Sequence, residues 1–104
     1  MISFDEFKKM ELKTGTVKSV EDIEGADKLY KIIVDTGEER QIVAGIKKDY
    51  TKEELTGKQI IIVTNLQPVK LKGVESNGML LAVEDEKVVL LTVDKPVKNG
   101  LKVS

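Results

Sequence analysis

KQIIIVTNLQPVKLKGVESNGMLLA, residues 58–82, is the stretch whose reading decides the fold. It opens on KQIIIVT and closes on MLLA, both dense in apolar residues. Some fourteen residues lie between those runs, with one Pro, two Gly, two Lys, two Asn and a Ser. Compact domains join their elements with about 4–6 residues, and connections near 12–15 residues are often functional. The segment is therefore either a long connection or a working surface.

The flanking runs carry a second message. Ile60, Ile61, Ile62 and Val63 are consecutive, as are Val88, Val89, Leu90 and Leu91. Side chains alternate across a strand, so a simple barrel strand shows apolar residues inward and polar ones outward. Here both faces are apolar, and something must cover the outside. A terminal segment, a helix or a second copy of the chain would serve. The small core of a chain this size favours a homodimer, with the C-terminal half in or near the interface.

The rest of the chain reads as short strands with little helix. LYKIIVD (29–35) and RQIVA (40–44) flank TGEE, a hairpin pattern. MLLAVED and KVVLLTV form a second hairpin around Asp85–Glu86. A strand begins near Leu12, and Gly15 within it suggests a bulge or bend. Ser3 with Glu6 and Thr51 with Glu54 are capping-box pairs, which predict short helices over about residues 4–9 and in DYTKEEL, the second ended by Gly57. Phe4 and Phe7 then share a face and are expected in the core. A turn at Asn99–Gly100 and a last short strand close the chain. Six or seven strands with turn signals every 8–12 residues describe one all-β domain over residues 1–104, a small antiparallel barrel or sandwich.

Composition narrows the function. The 104 residues contain no Cys and no His, which removes thiolate chemistry, disulfides and the commonest general base and metal ligand. No metal-ligand spacing, P-loop or dinucleotide glycine pattern occurs. A binding module without catalysis or cofactor is the expected class. The N-terminus lacks the apolar stretch of a signal peptide, and the cytoplasm is the expected compartment. Net charge is −1, so any anion-binding face must come from distribution. Basic residues gather at Lys8, Lys9 and Lys13, at Lys28 and Lys31, at Lys47 and Lys48, and at Lys70 and Lys72. All basic residues except Arg40 are Lys, point charges suited to phosphate rather than to base edges. Phe4, Phe7, Tyr30 and Tyr50 are the only aromatics. That is a thin supply of stacking platforms, so a bound nucleic acid would be read through backbone, shape and 2′-hydroxyls.

Four blocks taken together carry a resemblance: A-D-K-L-Y at 26–30, R-Q-I-V-x-G at 40–45, N-L-x-P at 65–68 and G-V-E-S-x-G-M-L-L at 73–81. In this order they resemble the tRNA-binding domain appended to methionyl-tRNA synthetases. The same domain forms stand-alone tRNA-binding proteins and the endothelial-monocyte-activating polypeptide II group. The likeness runs from about Phe7 to Val103. It implies an OB-fold barrel with short helices and a C-terminal extension, homodimerisation, and binding of tRNA by overall shape at the outer side of the L. It also implies no chemistry of the domain's own, only support for a methionyl-tRNA synthetase as accessory or beta-type subunit.

Carried over by position, the implied binding residues are Lys28, Lys70, Lys72, Ser76 and Met79. The three lysines would meet phosphates, and Ser76 would donate to a phosphate or sugar oxygen. Met79 would pack on a sugar or base, or else begin the core face of the next strand. Lys47 and Lys48 are added on charge alone. Gly73 and Gly78 would give the segment backbone freedom, and Pro68 would stiffen its entry. Ile23-Glu24-Gly25 departs from the His-Pro-Asn run often seen before A-D-K-L, and Ala44 stands where relatives often carry Ser. A secretion-related chaperone shares the implied fold and the V-V-L-L-x-x-D-x-P-V-x-N-G ending, so a dimeric polypeptide-binding protein is the alternative. A pure assembly module that has lost RNA affinity is a third reading. Met1 favours a free-standing protein over an excised domain.

Overall fold

The computed structural model describes every residue, Met1–Ser104. Strand β1 (Leu12–Ile23) is the spine. Its first half pairs antiparallel with β4 (Gln59–Val63), and its second half with β2 (Ala26–Asp35). Both pairings meet at Thr16. β2 turns back into β3 (Glu39–Ala44), and β7 (Met79–Leu80) lies beyond β4, so the five-stranded order is β3-β2-β1-β4-β7. Two further hairpins stand apart from this sheet: β5 (Val69–Leu71) with β6 (Val74–Ser76), and β8 (Ala82–Asp85) with β9 (Lys87–Leu90). Helices α1 (Phe4–Phe7) and α2 (Lys52–Leu55) complete the chain, each with its full capping box.

The all-β reading with short helices and a C-terminal extension is what the chain adopts. The strand count is higher than expected because residues 65–78 are not a plain loop. They contain the β5–β6 ribbon, and the run after it splits at Leu81 into β7 and β8.

The core follows the period-two pattern of β2. Tyr30, Ile32 and Val34 point inward with Val17, Ile42, Ile60 and Ile62, and Leu55 of α2 fills the same interior. Tyr30 is thus core; its hydroxyl donates to the Tyr50 carbonyl at 2.8 Å. Gly15 is not the bulge. The register shifts between Val17 and Ser19, while a Cβ on Gly15 would lie 2.6 Å from Val34 Cγ1 and 2.9 Å from Thr36 Cγ2. Its role is close approach, which only a missing side chain permits.

The second face of β4 has a cover within the chain. Ile61 and Val63 pack with Leu12 beneath Phe7, Leu81, Val93 and Val103, so both termini contribute. The C-terminal segment is fixed there by Val103 N–H donating to the Leu12 carbonyl at 2.8 Å and Gly100 N–H donating to the Thr14 carbonyl at 2.7 Å. Phe4 corrects its expectation: it is 69% exposed, with the Lys8 ammonium 5.1 Å from its ring centroid. A one-turn helix ending at Phe7 half-buries one aromatic and leaves the other outside. β9 remains half-covered. Val88 and Leu90 face the core, while Val89, its cross-strand partner Val83, and Leu91 are exposed.

The seam between β3 and β6 is closed mainly by side chains. Gln41 Nε2 donates to the Glu75 carbonyl at 2.9 Å, and Val43 N–H donates to Ser76 Oγ at 3.0 Å. One backbone bond joins them, Asn77 N–H to the Gln41 carbonyl at 2.8 Å. Arg40 Nη1 donates to the carbonyls of Asn77 at 2.7 Å and Thr64 at 3.2 Å, with Glu38 beside Nη2 at 3.3 Å. Charge-assisted bonds of this kind are the strong ones in a protein. Arg40→Met is expected to lower the unfolding free energy by about 2–3 kcal/mol, with Arg40→Lys intermediate, as read by urea denaturation.

Candidate nucleic-acid interface

The ribbon turns at Lys72 and Gly73, with φ of 51° and 79°. Two central residues at positive φ make a type I′ turn, whose twist matches the strands it joins. Leu71 pairs with Val74 across it, and Val69 with Ser76. This pairing sorts the side chains. Val74 and Ser76 face the barrel, Val74 against the cluster of Ile23, Ala26 and Val43. Lys70, opposite Glu75, lies on the other face of the ribbon.

The structure brings several of the expected residues together. Lys72 at the ribbon tip and Lys28 at the start of β2 line one shallow depression of ≈ 350 Å³ with Gly25, Ala26, Asp27 and Leu29. Lys28, Lys70 and Lys72 are exposed, and none has an acidic partner within ion-pair distance. On the other side of the ribbon lies an apolar groove of ≈ 470 Å³. Val43, Leu66, Val69, Leu71 and Met79 line it, with Gln67, Ser76 and Gly78. Met79 is 50% exposed and begins β7 opposite Val63, so it is a strand residue but not a core one, and its open face borders the groove.

Ser76 is a correction. It is 4% exposed, and its hydroxyl is already engaged, accepting from Val43 N–H and donating to the Gly78 carbonyl at 3.1 Å. A hydroxyl whose one proton is committed inside has none to give a phosphate. Ser76 fastens the ribbon to β3 instead.

Lys47 and Lys48 divide. Lys47 N–H donates to the Lys28 carbonyl at 3.3 Å, which sets these segments side by side. The Lys47 ammonium, however, pairs with Asp22 at 3.0 Å, and Lys52 pairs with the same carboxylate at 2.6 Å. Hydrogen bonds from Lys52 and then Lys47 hold the Asp22 carboxyl below its ordinary range, and the Asp22 bond raises Lys52. Lys48 is exposed with no such partner.

The sequence reading passed over Arg40, Gln41, Leu66, Val69 and Leu71. The signal for the last two was present: V-K-L-K-G-V-E-S alternates with period two on either side of a Gly-containing pair.

Comparison with known proteins places this geometry. The family described as "Putative tRNA binding domain" matches residues 12–102. The methionine–tRNA ligase of Methanothrix thermoacetophila is 55% identical over 101 residues, covering 96% of this chain and 15% of that protein. That of Thermococcus kodakarensis is 53% identical over 104 residues, covering 98% and 14%. The chain thus spans about one-seventh of the length of these curated relatives. Among solved structures, a MetRS related protein from Pyrococcus horikoshii superposes with a TM-score of 0.94 at 48% identity, covering 100% of this chain and 98% of that one. Chaperone CsaA from Bacillus anthracis superposes at 0.91 with 32% identity, covering 100% and 99%. A match across residues 12–102 leaves only short ends outside it, and the chain belongs to this family of tRNA-binding domains.

Proposed function

We propose that this chain is a non-catalytic tRNA-binding module that reads tRNA by shape and serves a methionyl-tRNA synthetase as accessory or beta-type subunit. The observation that carries the reading is the set of unpaired lysines around the ribbon, Lys28, Lys70 and Lys72, in a member of the tRNA-binding family. The relatives named methionine–tRNA ligase supply the synthetase connection. The barrel is then of the OB type, the ribbon and the start of β2 form its RNA-facing rim, and the working compartment is the cytoplasm. Lysines without acidic partners are free to replace counterions on phosphates, and few aromatics are needed when backbone geometry is what is read.

The bare strip Val83–Val89–Leu91 supports a homodimer. A second copy would cover it and present the ribbon twice, which multiplies weak contacts through effective concentration. Likeness to chaperone CsaA and the apolar groove favour a second reading, a dimeric binder of unfolded polypeptide.

Three measurements test the proposal. Neutralising about four phosphates predicts a log–log slope of affinity on salt of about −3 to −4, and Lys70→Ala or Lys72→Ala should weaken tRNA binding several-fold and flatten the slope. A gel shift showing no tRNA binding at low salt sinks the proposal. Asp22→Asn releases Lys47 from its carboxylate and is expected to raise low-salt affinity about two- to threefold; equal or weaker binding would show that Lys47 lies off the interface. Light scattering at micromolar concentration should give a dimer, and Val89→Asp a monomer.

A further inference from the structure

We infer that Arg40 is a positioning residue for RNA binding: its guanidinium fixes the root of the ribbon and so sets the spacing between Lys72 at the tip and Lys28 on the barrel. The inference rests on the tRNA-binding reading above and adds to it a residue that meets no RNA itself.

Two legs join the ribbon to the barrel, and they are held unequally. The exit leg is tied to β3: Ser76 Oγ accepts from Val43 N–H, the Glu75 carbonyl accepts from Gln41, and Asn77 N–H donates to the Gln41 carbonyl. The entry leg is tied elsewhere. Thr64 and Asn65 bond to Lys9 and Glu11, just ahead of β1. No backbone hydrogen bond reaches Leu66, Gln67 or Pro68. Beyond the end of the β4–β7 ladder at Val63 and Met79, Arg40 Nη1 is the one side-chain group that bonds both legs, at the carbonyls of Thr64 and Asn77.

The guanidinium has little freedom to do anything else. The Arg40 side chain is 17% exposed, and its Nε is buried with no hydrogen-bond partner. Buried donors are rarely left unanswered, because each one costs free energy. The two carbonyls therefore set where the group lies, while a third donor goes unmatched. The stem is confined as well: a Cβ on Gly78 would come within 3.5 Å of Arg40 Cδ and 2.9 Å of the Val63 carbonyl oxygen. Arg40 cannot turn to a phosphate without releasing the ribbon.

The geometry of the lysines depends on that root. Lys28 and Lys72 line one depression, yet one belongs to β2 and the other to the ribbon tip. Val74, packed on Ile23, Ala26 and Val43, holds the ribbon near its tip, and Arg40 holds it at the base. Lys70, on the outer face, moves with both. A ribbon free to take other angles presents this set of cations correctly for only part of the time, and apparent affinity falls by that fraction. The phosphates neutralised in the complex stay the same in number, so the salt slope does not change.

The test compares Arg40→Met and Arg40→Lys with the parent, as full chains with folded tRNA, below the temperature at which any of them begins to unfold. Arg40→Met is expected to weaken binding about three- to tenfold at the parent's salt slope, and Arg40→Lys to restore part of the loss. In the free variants the Val43 and Asn77 amides, which bond across the seam, should exchange hydrogen faster, and bound RNA should return them to parent protection. In a Lys72→Ala background the Arg40→Met loss should shrink, because one of the cations it positions is gone. Leu55→Ala, a fully buried core change outside the ribbon, should destabilise the chain and leave affinity at the parent value. If Arg40→Met does not fold, Arg40→Lys decides by the same affinity, slope and exchange readings. A flattened salt slope makes Arg40 a phosphate contact and overturns the inference, as does an equal loss in Leu55→Ala. Parent-like affinity in the Arg40 variants overturns it and leaves the function standing. Absence of tRNA binding by the parent overturns both.

Discussion

Arg40 Nη1 donates to two carbonyls, and the position of those carbonyls matters more than their number. Thr64 stands immediately after β4, and Asn77 stands just before β7. Everything between them, the ribbon included, is strung from a single nitrogen at both ends. A loop whose ends are drawn to one point is a compact unit rather than an open tether. Ser76 and Gln41 add further fasteners along the seam with β3. A planar, permanently charged fork suits this task, and an ammonium would reach one carbonyl better than two. The one Arg in a lysine-rich chain is therefore spent inside, on shape.

The charge pattern follows the same division. A net charge of −1 gives no hint of an anion-binding face. The structure shows where the acids go: Asp22 engages two lysines at once, and Glu21 engages Lys31 at 2.7 Å. These pairs are exposed and add little stability. Their effect is local neutralisation on the flank of the barrel. Most other lysines are unpaired as well, so it is their place around the ribbon that sets Lys28, Lys70 and Lys72 apart.

What was legible in the sequence was whatever local rules determine. Both capping boxes formed, because a serine or threonine followed three residues later by a glutamate satisfies two backbone groups whatever surrounds it. The 29–44 hairpin and the inward face of β2 follow from alternation. The ribbon was less legible: Lys-Gly is a weaker turn signal than Asn-Gly, and a stretch treated as one loop hid strands of three residues each. Ser76 was misread because its partner, Val43 N–H, is 33 residues away. Gly15 has the same character, since what excludes a side chain there is Val34 and Thr36 on the paired strand. Tertiary neighbours decide such positions, and no periodicity announces them. The open strip on β9 was legible from its apolar run, though not the fact that both termini would be used up covering β4.

Lys72 holds the left-handed backbone conformation that a type I′ turn demands and that a side chain with a Cβ resists, at a cost of roughly 1–2 kcal/mol. Asparagine or glycine would sit there at ease. Glycine at this position would remove that cost, and with it the only charge among the four residues of the turn.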